Sequence, residues 1–227
     1  MGKPFSLVLL FLMIISAFDA HGQRKSLQAT SISENISIDG KLNEAIWNTA
    51  PIATDFLMLE PDNGKAISPN KKTDVRIVYN NDAIYVAALL YDDEPKKILK
   101  ELTQRDNFGT ADHFGVFING FNDGQQDFRF FVSASGVQMD CLATEAEEDY
   151  SWDAIWDSEV SITEFGWVVE MKIPYAALRF SNAEKQTWGI NFYREIKRDR
   201  QKYTWNLIDM KIGGHFHKQA NLKASKT

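Results

Sequence analysis

The 227-residue chain has one cysteine, six prolines and four histidines. A single thiol, Cys141, excludes an intramolecular disulfide, so the fold must be held by its core alone. A thiol without a partner is a small buried hydrophobe unless a histidine activates it, and beyond residue 22 the histidines are only His113, His215 and His217. Basic charge is also in deficit. The net charge is −6, which argues against a nucleic-acid partner, since phosphate backbones are met by basic surfaces. There is no Gly-x-Ser-x-Gly elbow, no phosphate-binding glycine loop and no His-Glu-x-x-His pair, and no catalytic residues are assigned. The 31 acidic residues contain no spacing that singles out a glycosidase pair.

Long apolar runs are confined to the N-terminus. Phe5 to Phe18 is broken only by Ser6 and Ser16, follows Lys3, and is shorter than the roughly 20 apolar residues a membrane-spanning helix needs. With small residues Ala20 and Gly22 before Gln23, residues 1–22 read as a signal peptide. The expected location is therefore the periplasm, the outer membrane or the exterior.

Aromatics are abundant: 15 Phe, 7 Tyr and 6 Trp. The dominant period is two. Val75, Ile77 and Tyr79 alternate with polar neighbours, as do Phe114, Val116 and Ile118. The same holds for Phe128, Phe130 and Val132, for Trp167, Val169, Met171 and Ile173, and for Trp188, Ile190 and Phe192. Alternation of this kind marks half-buried antiparallel strands. Ile84 to Tyr91 is apolar on both faces and reads as a central strand. Turn signals at Asn80-Asn81-Asp82, Asn122-Asp123-Gly124, Ser135-Gly136 and Phe165-Gly166 separate the runs. Two short helices are expected, at Asn43–Thr49 and Pro95–Leu102, with a single turn after Pro174. The prediction is an all-β fold: one antiparallel β-sandwich of about nine or ten strands over residues 23–212, followed by an irregular tail at 213–227.

Several segments carry a family resemblance. Ile38-Asp39-Gly40-Lys41-Leu42-Asn43-Glu44-Ala45-Ile46-Trp47, the Asp112 to Asn119 strand and Gly166-Trp167-Val168-Val169-Glu170-Met171-Lys172-Ile173-Pro174 resemble the motifs of carbohydrate-binding module family 9. Leu102 to Asp106, Asp149 to Trp156 and Tyr175 to Phe180 are similar to the Bacteroidetes chains that carry this domain before an outer-membrane β-barrel of the DUF5916 type. The resemblance spans roughly Ile32 to Ile212. It implies a sugar-binding sandwich with calcium, gripping sugar between two tryptophans in some members. Only Phe108 stands where the first tryptophan would be, and Lys211 to Phe216 supplies no second one. The chain ends about where such relatives would enter their barrel, so a binding domain separated from its membrane half is expected.

The candidate ligand-binding residues are Phe108, Trp152, Asp153 and Trp156. A sugar site needs a flat aromatic face beside groups that bond hydroxyls. Trp152 and Trp156 flank Asp153; packing in the core is the competing role for both. Trp47, Trp167, Trp188 and Trp205 are in phase with core residues. Asp106 and Asp112 are the candidate Ca2+ ligands. The cluster Glu145, Glu147, Glu148, Asp149 and Asp153 is a further candidate calcium set, with a solvated acidic loop as the alternative for Glu145 to Asp149. The Asp123-Gly124 segment is no calcium loop, because Phe130 stands where the bidentate acid belongs. His215 and His217 share one face of an extended segment but lack further ligands. Arg194, Lys197, Arg198, Arg200 and Lys202 form a basic run read as a solvated hairpin end. The function expected is non-catalytic carbohydrate binding. The alternatives are a structural domain serving an outer-membrane barrel and a glycoside hydrolase component.

Overall fold

A computed structural model describes residues 24–211 and 219–225. The proposed signal peptide, His215 and His217 lie outside the described residues. The described residues form fifteen strands. These are β1 (Ser26–Gln28), β2 (Thr30–Ser31), β3 (Ile52–Ala53), β4 (Leu57–Glu60), β5 (Thr73–Tyr79), β6 (Ala83–Tyr91), β7 (His113–Asn119) and β8 (Gln126–Ser133), then β9 (Gln138–Thr144), β10 (Glu148–Asp149), β11 (Asp157–Thr163), β12 (Gly166–Pro174), β13 (Lys185–Ile196), β14 (Gln201–Thr204) and β15 (Ala220–Ser225). One sheet runs β1-β15-β13-β7-β8-β9-β10, with β14 beside β13 and β4 beside β14; the other runs β11-β12-β6-β5-β2, with β3 beside β5. All pairings are antiparallel except β1 with β15 and β2 with β5.

The core lies between the sheets and is made by the residues that alternation selects. Phe114, Val116, Ile118, Phe128, Phe130, Trp188, Ile190 and Phe192 face Val75, Ile77, Val86, Leu90, Trp167, Val169 and Met171. The double-faced β6 has a separate explanation. Its outer residues Tyr85 and Ala87 are covered by Trp47 and Ile36, so segment 32–50 roofs the second sheet.

The Ile38-Asp39-Gly40 motif and Glu170 belong to one device. Glu170 is fully buried, and its Oε2 accepts the N–H groups of Asp39, Gly40 and Lys41 at 3.1, 2.9 and 3.3 Å. Gly40 has φ +74°, and a Cβ there would meet the Val160 backbone carbonyl carbon at 3.2 Å. A side chain is therefore excluded twice, by conformation and by space.

Four expectations are corrected. Residues 220–225 are a strand between β1 and β13, so the sandwich closes with residues assigned to an irregular tail. The second helix is only a 3-10 turn at Pro95–Lys97, because Lys100 turns away to bridge Ala111. The first helix shrinks to α1 (Ile46–Thr49). The basic run does end a hairpin, with Arg200 exposed at its turn, but it is not solvated throughout. Arg194 is 1% exposed and donates to the carbonyls of Lys71, Lys72 and Tyr91 and to Thr73 Oγ1, joining the two sheets. Arg198 grips both oxygens of Asp92 at 2.8 Å.

Candidate functional site

The outward face of the first sheet should be polar, and it is not. The outer positions of β7, β8, β9 and β13 carry Phe117, Phe131, Met139, Cys141, Ala143 and Tyr193, with Phe108 packed against them. Gly115 makes this floor possible. A Cβ on it would come within 2.5 Å of the Phe131 ring, so glycine lets that ring lie across the strand. The rings interlock edge to face. Phe108 lies 5.4 Å from Phe131 and 6.0 Å from Tyr150, and Phe131 lies 5.5 Å from Phe117. Above them opens a cleft of about 400 Å³. That is within the range of small-ligand sites.

The rim of the cleft carries charge in pairs. Glu60 meets Lys202 at 2.8 Å, Glu195 meets Lys197 at 2.8 Å, and Glu148 pairs with Arg129. The Arg129 guanidinium sits 4.4 Å from the Phe117 ring centre. Tyr150 donates its hydroxyl to Glu148 at 2.7 Å, and Tyr193 donates to Glu195 at 2.9 Å. His113 Nε2 lies 3.3 Å from the same Glu195 oxygen.

The protonation states follow from burial and partners. Burial pushes Glu195 up, but Lys197, His113 and Tyr193 outweigh it and hold its carboxyl below the usual range. Burial pushes His113 down to about 4 against the pull of Glu195, so the ring is neutral at pH 7. Burial, together with Glu148 for Tyr150 and Glu195 for Tyr193, raises both phenols. The cleft therefore offers carboxylates as acceptors, ammonium and guanidinium groups as donors, and an aromatic floor. This is the equipment for a polyhydroxyl ring, whose hydroxyls bond the rim while its C–H face packs on the aromatics.

The structure separates the residues that the sequence grouped. Phe108 is in the cleft. Trp152 and Asp153 line a different groove on the other side of the sheet edge. Trp156 is corrected: it is 5% exposed, packs 5.5 Å from Phe130, and donates its indole N–H to Asp140 at 2.8 Å. It is a core residue with a satisfied polar tip and a ring that is almost wholly buried.

The calcium assignment does not fit its residues. Asp106 turns to Arg105 and to the Asp140 N–H. The Arg105 guanidinium also pairs with Asp140 and Asp153, so a fixed cation already serves these three carboxylates. Asp112 is 1% exposed and accepts the Lys197 N–H at 2.9 Å. In the acidic run, Glu148 goes to Arg129 and Tyr150, and Asp149 accepts from Ser151. Among the described residues no three His, Cys, Asp or Glu side chains converge as a metal site.

Sequence reasoning missed Phe117, Phe131, Tyr150, Tyr193, Arg129 and Glu195. A signal was present. The β7 segment His-Phe-Gly-Val-Phe-Ile-Asn is apolar at Phe117 on the face that alternation assigns to solvent, and Phe131 and Tyr193 repeat the anomaly. An aromatic outer face needs a cover or a ligand.

Three comparisons bear on this geometry. A family model described as "Carbohydrate family 9 binding domain-like" matches residues 38–208. The fold is similar to a carbohydrate-binding module family 9 from Caldicellulosiruptor kristjanssonii in complex with cellotriose, at 14% identity and TM-score 0.64, covering 89% of this chain and 95% of that one. It is also similar to a putative carbohydrate-binding protein from Bacteroides uniformis, at 13% identity and TM-score 0.69, covering 88% and 99%. No curated protein sequence matches. The family match spans both halves of the sandwich and includes the Asp39–Glu170 device and the strands of the aromatic cleft, and the chain belongs to the carbohydrate family 9 binding domain-like family.

Proposed function

We propose that this protein is a non-catalytic module that binds a neutral glycan in the aromatic cleft of the first sheet. The observation that carries the reading is the outward aromatic floor of Phe108, Phe117, Phe131 and Tyr193, rimmed by three carboxylates and three cations. Equal numbers of fixed charges, each cation tied to an acid, leave no spare cation to hold a uronate. The same rim can exchange partners with hydroxyl groups. A solved relative in complex with glucose supports a sugar of this class. Affinity electrophoresis through gels containing cellulose-, xylan- or starch-derived polysaccharides tests the proposal. Retardation by at least one neutral polymer is expected, and free migration through all of them overturns it.

Export is part of the proposal. N-terminal sequencing of the protein recovered from the envelope fraction of its host is expected to begin at Gln23. The resemblance to barrel-linked chains extends the proposal to an outer-membrane partner, tested by co-purification from detergent-solubilised membranes.

A further inference from the structure

The irregular segment Tyr150 to Trp156 follows β10 at the edge of the first sheet, and its residues line two different cavities. Tyr150 looks into the cleft. Trp152 looks the other way and rests on Phe128 and Phe130, with ring centres 5.3 and 5.9 Å away. It forms one wall of a groove of about 460 Å³ that also contains Asp153, Ile155, Gln126, Ala177 and Arg179. Ile155 is 91% exposed, which extends the apolar wall outward from the indole.

The polar groups of this groove have bonding capacity to spare. Asp153 Oδ1 accepts from Arg105, while Oδ2 accepts nothing among the described residues. Arg179 uses only Nη1, on the carbonyls of Ala176 and Leu178. The Gln126 amide and the Trp152 indole N–H make no hydrogen bond among the described residues. Another cavity, of about 320 Å³ near Trp188 and Tyr175, has less of this property. There Asn80 Oδ1 already accepts from Asp82 and Ala83, and the Gln186 amide serves Ser181, Ala183 and Trp188. That cavity adds the exposed Asn81 amide but no charged group. The Trp152 groove offers an aromatic platform beside an acid, an amide and a guanidinium with unspent donors and acceptors. This chemistry suits a pyranose ring.

We infer that the Trp152 groove is a second sugar subsite, independent of the aromatic cleft. This inference rests on the carbohydrate reading of the module. Two subsites on opposite sides of one sheet edge can hold two stretches of one polysaccharide. Tethering of that kind raises retention on a polymer by about 10²–10⁴-fold over one site alone.

The test is a titration of 15N-labelled protein with cellotriose, xylotriose and maltotriose, followed by indole and backbone cross-peaks. The buried Trp156 indole serves as the internal control. The expected result is a saturable shift of the Trp152 indole that persists in Phe108→Ala and disappears in Gln126→Ala/Arg179→Ala. Both substituted residues of that double variant are exposed, so it should fold normally. A Trp152 indole that stays still while cleft residues saturate overturns the inference and leaves the cleft reading intact. A shift that vanishes in Phe108→Ala also overturns it, because the groove would then only report the cleft. A Trp152 shift with no change in the cleft supports the subsite and contradicts the cleft reading. No shift anywhere overturns both.

Discussion

Replacing Asp112 by asparagine is expected to stabilise the protein at neutral pH, although Asp112 is a buried polar residue hydrogen-bonded to the backbone. Its Oδ1 accepts the Lys197 N–H, a bond that asparagine keeps. Its Oδ2 is buried without a partner. Burial therefore pushes the carboxyl up from 3.8 to about 6, against the pull of the Lys197 bond, Arg194 and Arg198. Between these values the folded state binds more protons than the unfolded chain. Stability is then greatest below the unfolded pKa and falls as pH rises through about 6. A shift of about two pKa units corresponds to about 3 kcal/mol at most. Urea unfolding of both proteins between pH 4 and 7.5 measures it. With a slope of roughly 2–3 kcal/mol/M, the variant midpoint should lie about 1 M higher at pH 7.5 and coincide with the parent near pH 4. A variant less stable at pH 7.5, or a difference that ignores pH, refutes the reasoning. A calcium site at Asp112 would instead give a parent stabilised by added Ca2+ and a variant that responds less, since asparagine removes a ligand charge.

Three further substitutions and reactivities follow. Asp140→Ala leaves the Trp156 indole and the Ala154 N–H without their acceptor. It should cost about 2–4 kcal/mol in urea unfolding, after allowing for relief of the buried charge; a loss under about 0.5 kcal/mol contradicts the assignment. Arg194→Met strands the carbonyls of Lys71, Lys72 and Tyr91. It should lower stability by about 3–5 kcal/mol, and near-neutral behaviour would show that the two sheets do not depend on it. Burial pushes the Cys141 thiol up to about 12. A chromogenic disulfide reagent should therefore leave the native protein unmodified and titrate one thiol after unfolding; rapid native reaction contradicts the buried placement.

The strands that form the two inner faces were legible because alternation reports burial on one side. Phe114, Val116 and Ile118 lie where their period places them. β11 was not legible, since Asp157 to Thr163 is an edge strand with no buried position and five polar residues out of seven. β15 was missed for a related reason. Ala220 to Ser225 is short and half polar, and only its pairing with β13 and β1 makes it a strand. Within the basic run Arg194 misled because sequence shows charge and not its partners; the carbonyls that receive it come from residues more than a hundred positions away. Phe108 was legible as a candidate through its motif position, and it lines the cleft. Its companions Phe117, Phe131 and Tyr193 were hidden inside strands already explained by their inner faces. Trp152 and Trp156 look equivalent in sequence. Asp140, on a different strand, decides which of them is anchored in the core.

The central claim is that a neutral sugar binds on the Phe108 floor. Isothermal titration of the parent and Phe108→Ala with cellotriose, xylotriose and maltotriose measures it directly. At least one sugar should bind the parent, and loss of the ring should cost about 1.5 kcal/mol, roughly tenfold in affinity. Equal affinity in the two proteins, or no binding of any of the three sugars to the parent, would contradict the account.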